Sequence, residues 1–248
     1  MLTVKRYPDS HIVLSDDLEK QLEEIKNFQV TENVTLHIAD KVFLSLDSDP
    51  KLKPLCFDFL SDKLIYRINH GGKHKENVAK AVTSGLNHPI VFDATAGMGR
   101  DSFILQCSGC HVCMFERNPL IWLLLSDALN RAQNSSYLKS LPNGIPALMP
   151  CGEARNYKGE IVPDVIYYDP MFPERKKSAL VKKEMRIFKA LIGADEDIES
   201  TLLALINMAR HKVILKRPQT AAPFVFQGIK PIGSVEGGAC RFDIYMHL

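Results

Sequence analysis

From Pro89 to residue 216 the chain repeats one pattern: a short apolar run, a polar or glycine-rich turn, then a helix-forming stretch. Residues 90–93, 112–115, 147–149, 165–168 and 212–216 read as strands, and 101–107, 118–132 and 198–209 as helices. Residues 229–235 and 241–248 close the chain as two further strands. Runs this short and this continuously apolar suit strands covered on both faces, as in parallel sheets. Strands alternating with helices give an α/β fold with a doubly wound, largely parallel sheet.

The first part of the chain reads differently. An acidic amphipathic stretch (18–25) precedes candidate strands at 34–38, 42–46 and 55–60, which Pro50 and Pro54 interrupt. Asn69-His-Gly-Gly-Lys-His74 then looks like a loop entering a helix. We therefore expect a small α+β region over 1–70 and the main domain over 71–248.

Six cysteines could pair, but a chain of 248 residues builds a core without disulfides. Cys107, Cys110 and Cys113 have the spacing of metal ligands, yet no fourth ligand of matching spacing follows. Buried free thiols and no metal are expected. No run approaches the roughly 18 apolar residues of a membrane span, and the first residues lack the apolar core of a secretory signal. A cytoplasmic protein is the expectation.

In such sheets ligands bind beyond the carboxyl ends of the strands. Four strands end there in polar or glycine residues. Asp93-Ala-Thr-Ala-Gly97-Met-Gly99 is a D-x-x-x-G-x-G loop, and Ser102 stands where a dinucleotide fingerprint needs its third glycine. Glycines here let backbone approach a ligand closely. Glu116 ends the next strand, where its two oxygens can accept both hydroxyls of a ribose. Arg117 is placed to cover an adenine face, and Glu153, after Gly152, to reach an adenine amine.

Asp169-Pro170-Met171-Phe172-Pro173 is the sharpest feature. Its prolines stiffen the turn and remove amide donors, so it presents carbonyls, one carboxylate and a ring. Those parts can hold an exocyclic amine and stack its base.

Together these residues resemble the class I S-adenosylmethionine-dependent methyltransferases, and Asp169-Pro-Met-Phe172 is similar to their (D/N)PP(Y/F) box. More narrowly, Phe92-Asp-Ala-Thr-Ala-Gly-Met-Gly-Arg-Asp101, Phe115-Glu-Arg-Asn-Pro119, Asp169 to Pro173, Lys176 to Arg186 and Lys216-Arg-Pro218 resemble the ribosomal small-subunit methyltransferase J family. The resemblance runs from about Phe57 to the C-terminus and is loose over the first 55 residues. It implies a mostly parallel seven-stranded sheet with an antiparallel C-terminal strand. It also implies methyl transfer from S-adenosylmethionine to N2 of a guanosine in 16S rRNA, free or in the small ribosomal subunit. Arg100-Asp101, Glu116-Arg117, Gly152-Glu153 and Asp169 would contact the cofactor, beside Asp93, Gly97 and Gly99. The Gly152-Glu153 pair departs from the small hydroxyl residues of the family pattern. Asp169, Pro170 and Phe172 would carry the transfer.

Charge settles little as a total: 31 basic against 29 acidic residues leave +2. Its placement says more. Lys176, Lys177, Lys182, Lys183 and Arg186 follow the proline turn directly, and Lys216-Arg217 end the next strand. Such a cluster can neutralise RNA phosphates and orient the substrate. Three rivals stand beside this reading: an oxidoreductase on a similar sheet, a methyltransferase acting on adenine N6 or a protein amide, and a non-catalytic RNA-binding module. The missing third glycine and the stiff Asp169 turn argue against the first.

Overall fold

A computed structural model describes residues 1–7, 25, 30, 32–70, 75–141, 143–172, 187, 191 and 195–248. Most of the acidic stretch 18–25, the loop 71–74 and the basic run with Lys176, Lys177, Lys182, Lys183 and Arg186 lie outside the described residues. Among the described residues, no helix is long and apolar enough to cross a membrane.

The chain forms two compact units that do not follow a linear boundary at residue 70. One comprises Met1–Asp58, Asn118–Arg131 and Met171–Glu196; the other comprises Phe59–Arg117, Ala132–Pro170 and Asp197–Leu248.

The first unit holds a three-stranded sheet of β1 (Leu2–Arg6), β2 (Val34–Ile38) and β3 (Val42–Leu46), with β1 parallel and β3 antiparallel to β2. Val34, Leu36, Ile38, Val42, Leu44 and Leu46 are buried at period two, as half-buried strands require. The expected strand at 55–60 does not form. Leu55 alone bridges to Leu44, exchanging both backbone bonds (2.9 and 2.7 Å), and residues 56–60 continue without a strand pairing to β3. Helix α4 (Pro119–Gln133) begins in this unit, where Asn118 Oδ1 accepts from the amides of Leu120 and Ile121 at 3.0 and 3.2 Å. A capping Asn followed by proline at the first helical position is a strong helix start.

The second unit carries the seven-stranded sheet. Its strands are β4 (Ile90–Asp93), β5 (His111–Met114), β6 (Ala147–Leu148), β7 (Val165–Tyr168), β8 (Lys212–Pro218), β9 (Gly233–Gly237) and β10 (Cys240–Met246). Their order is β6-β5-β4-β7-β8-β10-β9, with β4 to β8 mutually parallel and β10 antiparallel to both neighbours. This is the expected α/β fold with its antiparallel C-terminal strand. Central β7 is buried along its whole length, as a parallel strand covered on both faces must be.

The other helices of this unit are α1 (Asp62–His70), α2 (Asn77–Thr83), α3 (Arg100–Cys107), α5 (Ser136–Lys139) and α6 (Ile198–Met208). β1 and α1 have no counterpart in the sequence reading. The strand expected from residue 229 starts only at Gly233. Phe226 and Ile229 close a tight turn on each other at 3.1 and 2.7 Å, and Pro231 supplies no ladder donor.

Candidate active site

The first turn of the site is built by backbone bonds. Phe115 N donates to Asp93 O at 2.8 Å and Ala96 N to Phe115 O at 2.9 Å, stitching the loop after β4 to the end of β5. Gly97 (φ 53°) and Gly99 (φ 69°) then adopt left-handed conformations that L side chains rarely take, and Gly99 starts α3. Arg100 stands exposed in the first turn of that helix.

Three acidic groups line this region, each fixed differently. Asp93 is buried; it accepts from Thr95 N at 3.2 Å and from the Ser102 hydroxyl. Burial pushes its carboxyl up to about 7 despite those two donors. Glu116 is also buried, and its Oε2 accepts from Gly97 N at 3.0 Å. Asp101, in the first turn of α3, accepts from the Tyr167 hydroxyl at 2.9 Å and from Lys216 Nζ at 3.0 Å, both on Oδ2. Burial works against its charge, but Lys216 beside it holds the carboxyl below the usual range.

Asp169 follows β7. Its backbone amide donates to Thr95 Oγ1 at 2.7 Å, and its Oδ2 lies 2.9 Å from Lys216 Nζ. Pro170 is buried. Met171 and Phe172 belong to the other unit, where Met171 N donates to Asp195 Oδ2 at 2.7 Å and Asp195 N to Met171 O at 2.9 Å. That pair of hydrogen bonds holds Met171 to Asp195; Phe172 is half-buried.

On the far side of the glycine loop, Arg117 pairs with Glu153 at 3.0 Å and Asp197 at 3.3 Å. Arg155 pairs with the same two carboxylates at 2.7 and 2.6 Å. Gly152 sits at φ 156°, its amide donating to Glu116 O at 2.9 Å. The structure thus brings Asp93, Gly97, Gly99, Asp101, Glu116 and Asp169 to neighbouring strand ends, and joins Arg117 to Glu153.

Lys216 and Arg217, expected as RNA contacts, each have partners within the protein. Lys216 is held between two carboxylates. The Arg217 guanidinium lies 5.2 Å from the Phe224 ring centroid and donates to Ala222 O at 3.3 Å. Thr95, Ser102, Tyr167 and Lys216 also belong to this group, though nothing local in the sequence marks them as parts of the pocket. The signal for Lys216 is strand order: β8 lies beside β7, and Tyr168 pairs with Leu215, so the next residues, Asp169 and Lys216, emerge level.

Glycines that let backbone come close, and carboxylates buried at two adjacent strand ends, suit a cofactor carrying a ribose and positive charge. Comparison with known proteins agrees. The family "Putative SAM-dependent methyltransferase" matches residues 17–247. The ribosomal RNA small subunit methyltransferase J of Pseudoalteromonas atlantica is 46% identical over 209 residues, covering 80% of this chain and 79% of its own. That of Tolumonas auensis is 44% identical, covering 80% of each chain. Among solved structures, the SAM-dependent methyltransferase NGO1261 from Neisseria gonorrhoeae superposes with a TM-score of 0.69 over 100% of this chain and 96% of that one, at 26% identity. The chain belongs to the S-adenosylmethionine-dependent methyltransferases, in the ribosomal RNA small subunit methyltransferase J family.

Proposed function

We propose that the protein methylates the exocyclic N2 of a guanosine in 16S rRNA. The observation that carries this is the Asp169-Pro170 turn, anchored by Thr95 and Lys216 beside the Gly97/Gly99 loop. Asp93, Gly97, Gly99, Asp101 and Glu116 would hold the cofactor, with Arg100, Arg117, Gly152 and Glu153 at its outer edge. When bound, S-adenosylmethionine supplies an electrophilic methyl group: the N2 lone pair forms the new C–N bond while the C–S pair stays with sulfur.

The chain's own groups position the nucleophile. The guanine amine is weakly nucleophilic because its lone pair is delocalised into the ring, so alignment and electrostatics supply the rate. Asp169 and the Pro170 carbonyl accept the N–H bonds and turn the lone pair toward the methyl. Phe172 stacks on the base, which must leave any helical stack to arrive there. The proton shed by N2 goes to Asp169 or to water. Lys176, Lys177, Lys182, Lys183 and Arg186 would meet RNA phosphates, a reading that rests on sequence alone. A cytoplasmic location follows from such a substrate.

Labelled cofactor, incubated with naked 16S rRNA, free small subunits or whole ribosomes, tests this reading. The label should appear as N2-methylguanosine after nucleoside digestion. Label on adenosine, on protein or nowhere would sink it.

A further inference from the structure

Lys216 is read from sequence as an RNA contact, but its surroundings are those of a different role. Its ammonium is 2.9 Å from Asp169 Oδ2 and 3.0 Å from Asp101 Oδ2, and its side chain is only 26% exposed. Asp101 is the hub of the group: it also takes the Tyr167 hydroxyl, and its Oδ1 lies 3.6 Å from the Arg67 guanidinium on α1. Arg67 is itself engaged by Glu76 at 2.9 Å. Asp93 lies buried at the end of β4, and its charge is felt by Tyr167 together with those of Asp101 and Asp169. The Cys240 thiol, on β10, also senses Lys216, Asp101 and Asp169.

We propose that Lys216 is a positioning residue of the transfer site, tying Asp169 to Asp101 so that Asp169 meets the substrate amine as a fixed, ionised acceptor. The proposal rests on the reading of Asp169 as the group that accepts the amine's N–H. Three carboxyl groups gather at these strand ends, and burial leaves Asp93 protonated up to about pH 7. Of the other two, Asp101 and Asp169, like charges sharing a site favour proton uptake by one. A protonated Asp169 would present an O–H donor where the amine needs an acceptor. A cation between the carboxylates removes that outcome. Lys216 is not a base: burial opposes its charge, yet Asp169 and Asp101 hold the ammonium well above the usual lysine range. It stays charged while Asp169 works.

The test compares full-length wild type, Lys216→Met and Lys216→Arg with labelled cofactor and the RNA or subunit that the wild type methylates. Initial rates are followed across roughly pH 5.5 to 9. For Lys216→Met, kcat near pH 7 should fall on the order of 10²-fold, and the acid limb of kcat/KM should move up by about 1–3 pH units. KM for RNA should stay within about two-fold. Lys216→Arg, which keeps the charge, should return the limb to its wild-type position. An unmoved acid limb overturns the proposal, as does a loss confined to RNA affinity with a shallower salt dependence, the mark of a phosphate contact.

If methionine is not tolerated, Lys216→Gln carries the same test. Asp101→Asn carries the opposite one: Lys216 then serves Asp169 alone and the limb moves down, and a limb that stays overturns the proposal. Nucleoside mapping keeps the two readings apart. A product other than N2-methylguanosine ends the substrate assignment, whereas the position of the acid limb judges Lys216.

Discussion

Two charged clusters border the strand ends of the seven-stranded sheet, and they differ in balance rather than in bond length. In the outer one, Arg117 and Arg155 each pair with both Glu153 and Asp197, at 2.6 to 3.3 Å, so two positive charges meet two negative ones in a closed ring. In the inner one, Lys216 lies between Asp101 and Asp169, with Asp93 buried near by and Arg67 shared between Glu76 and Asp101. The outer ring is neutral and partly solvated, and pairs of that kind contribute little stability. Among the described residues the inner cluster holds more carboxyl groups than cations, which costs energy to bury and suits a positively charged ligand. One cluster fastens loops together; the other is organised for chemistry.

Substitutions can break this contrast, beginning with the largest effect. Asp169→Ala should lower transfer by about 10³-fold or more while the protein keeps its folded circular dichroism and melting transition; near-normal turnover would remove Asp169 from the mechanism.

Asp93 comes next, and here the effect is on stability. Its carboxyl keeps a proton up to about pH 7 when folded, but loses it near pH 4 when unfolded. Asp93 therefore binds more protons in the folded state through that window, and its contribution to stability declines as pH rises across it. Asp93→Asn should remove that contribution, gaining on the order of 2–4 kcal/mol relative to wild type between pH 4 and pH 8. Urea midpoints at a series of pH values would read the difference, and parallel curves would count against it.

Glu116→Gln is a smaller change. It keeps the shape but weakens the acceptor for Gly97 N and for a ribose, so cofactor affinity should drop about 10-fold by calorimetry. Arg155→Ala closes the series. Opening the balanced ring should cost less than about 1 kcal/mol, and the cost should shrink as salt is raised in thermal melts. A larger, salt-insensitive loss would show that the ring is no mere surface device.

The sequence alone determined the strand–helix alternation, the glycine loop and the family to which they point, because each is local. An apolar run between turns is a strand wherever it pairs, and Gly97 and Gly99 advertise a backbone that other residues avoid. Asn118-Pro119 announces a helix start in the same way. Where local signals competed, they misled: the apolar run 55–60 looks like a strand, but only Leu55 bridges to Leu44. Only the tertiary structure decided what the charges do. Lys216 lies 47 residues from Asp169 and 115 from Asp101, and Arg117 lies 80 from Asp197. Nothing in those separations says they meet. Strand order and register bring them together, making a lysine that charge placement along the sequence pointed toward RNA a partner of the Asp169 carboxylate.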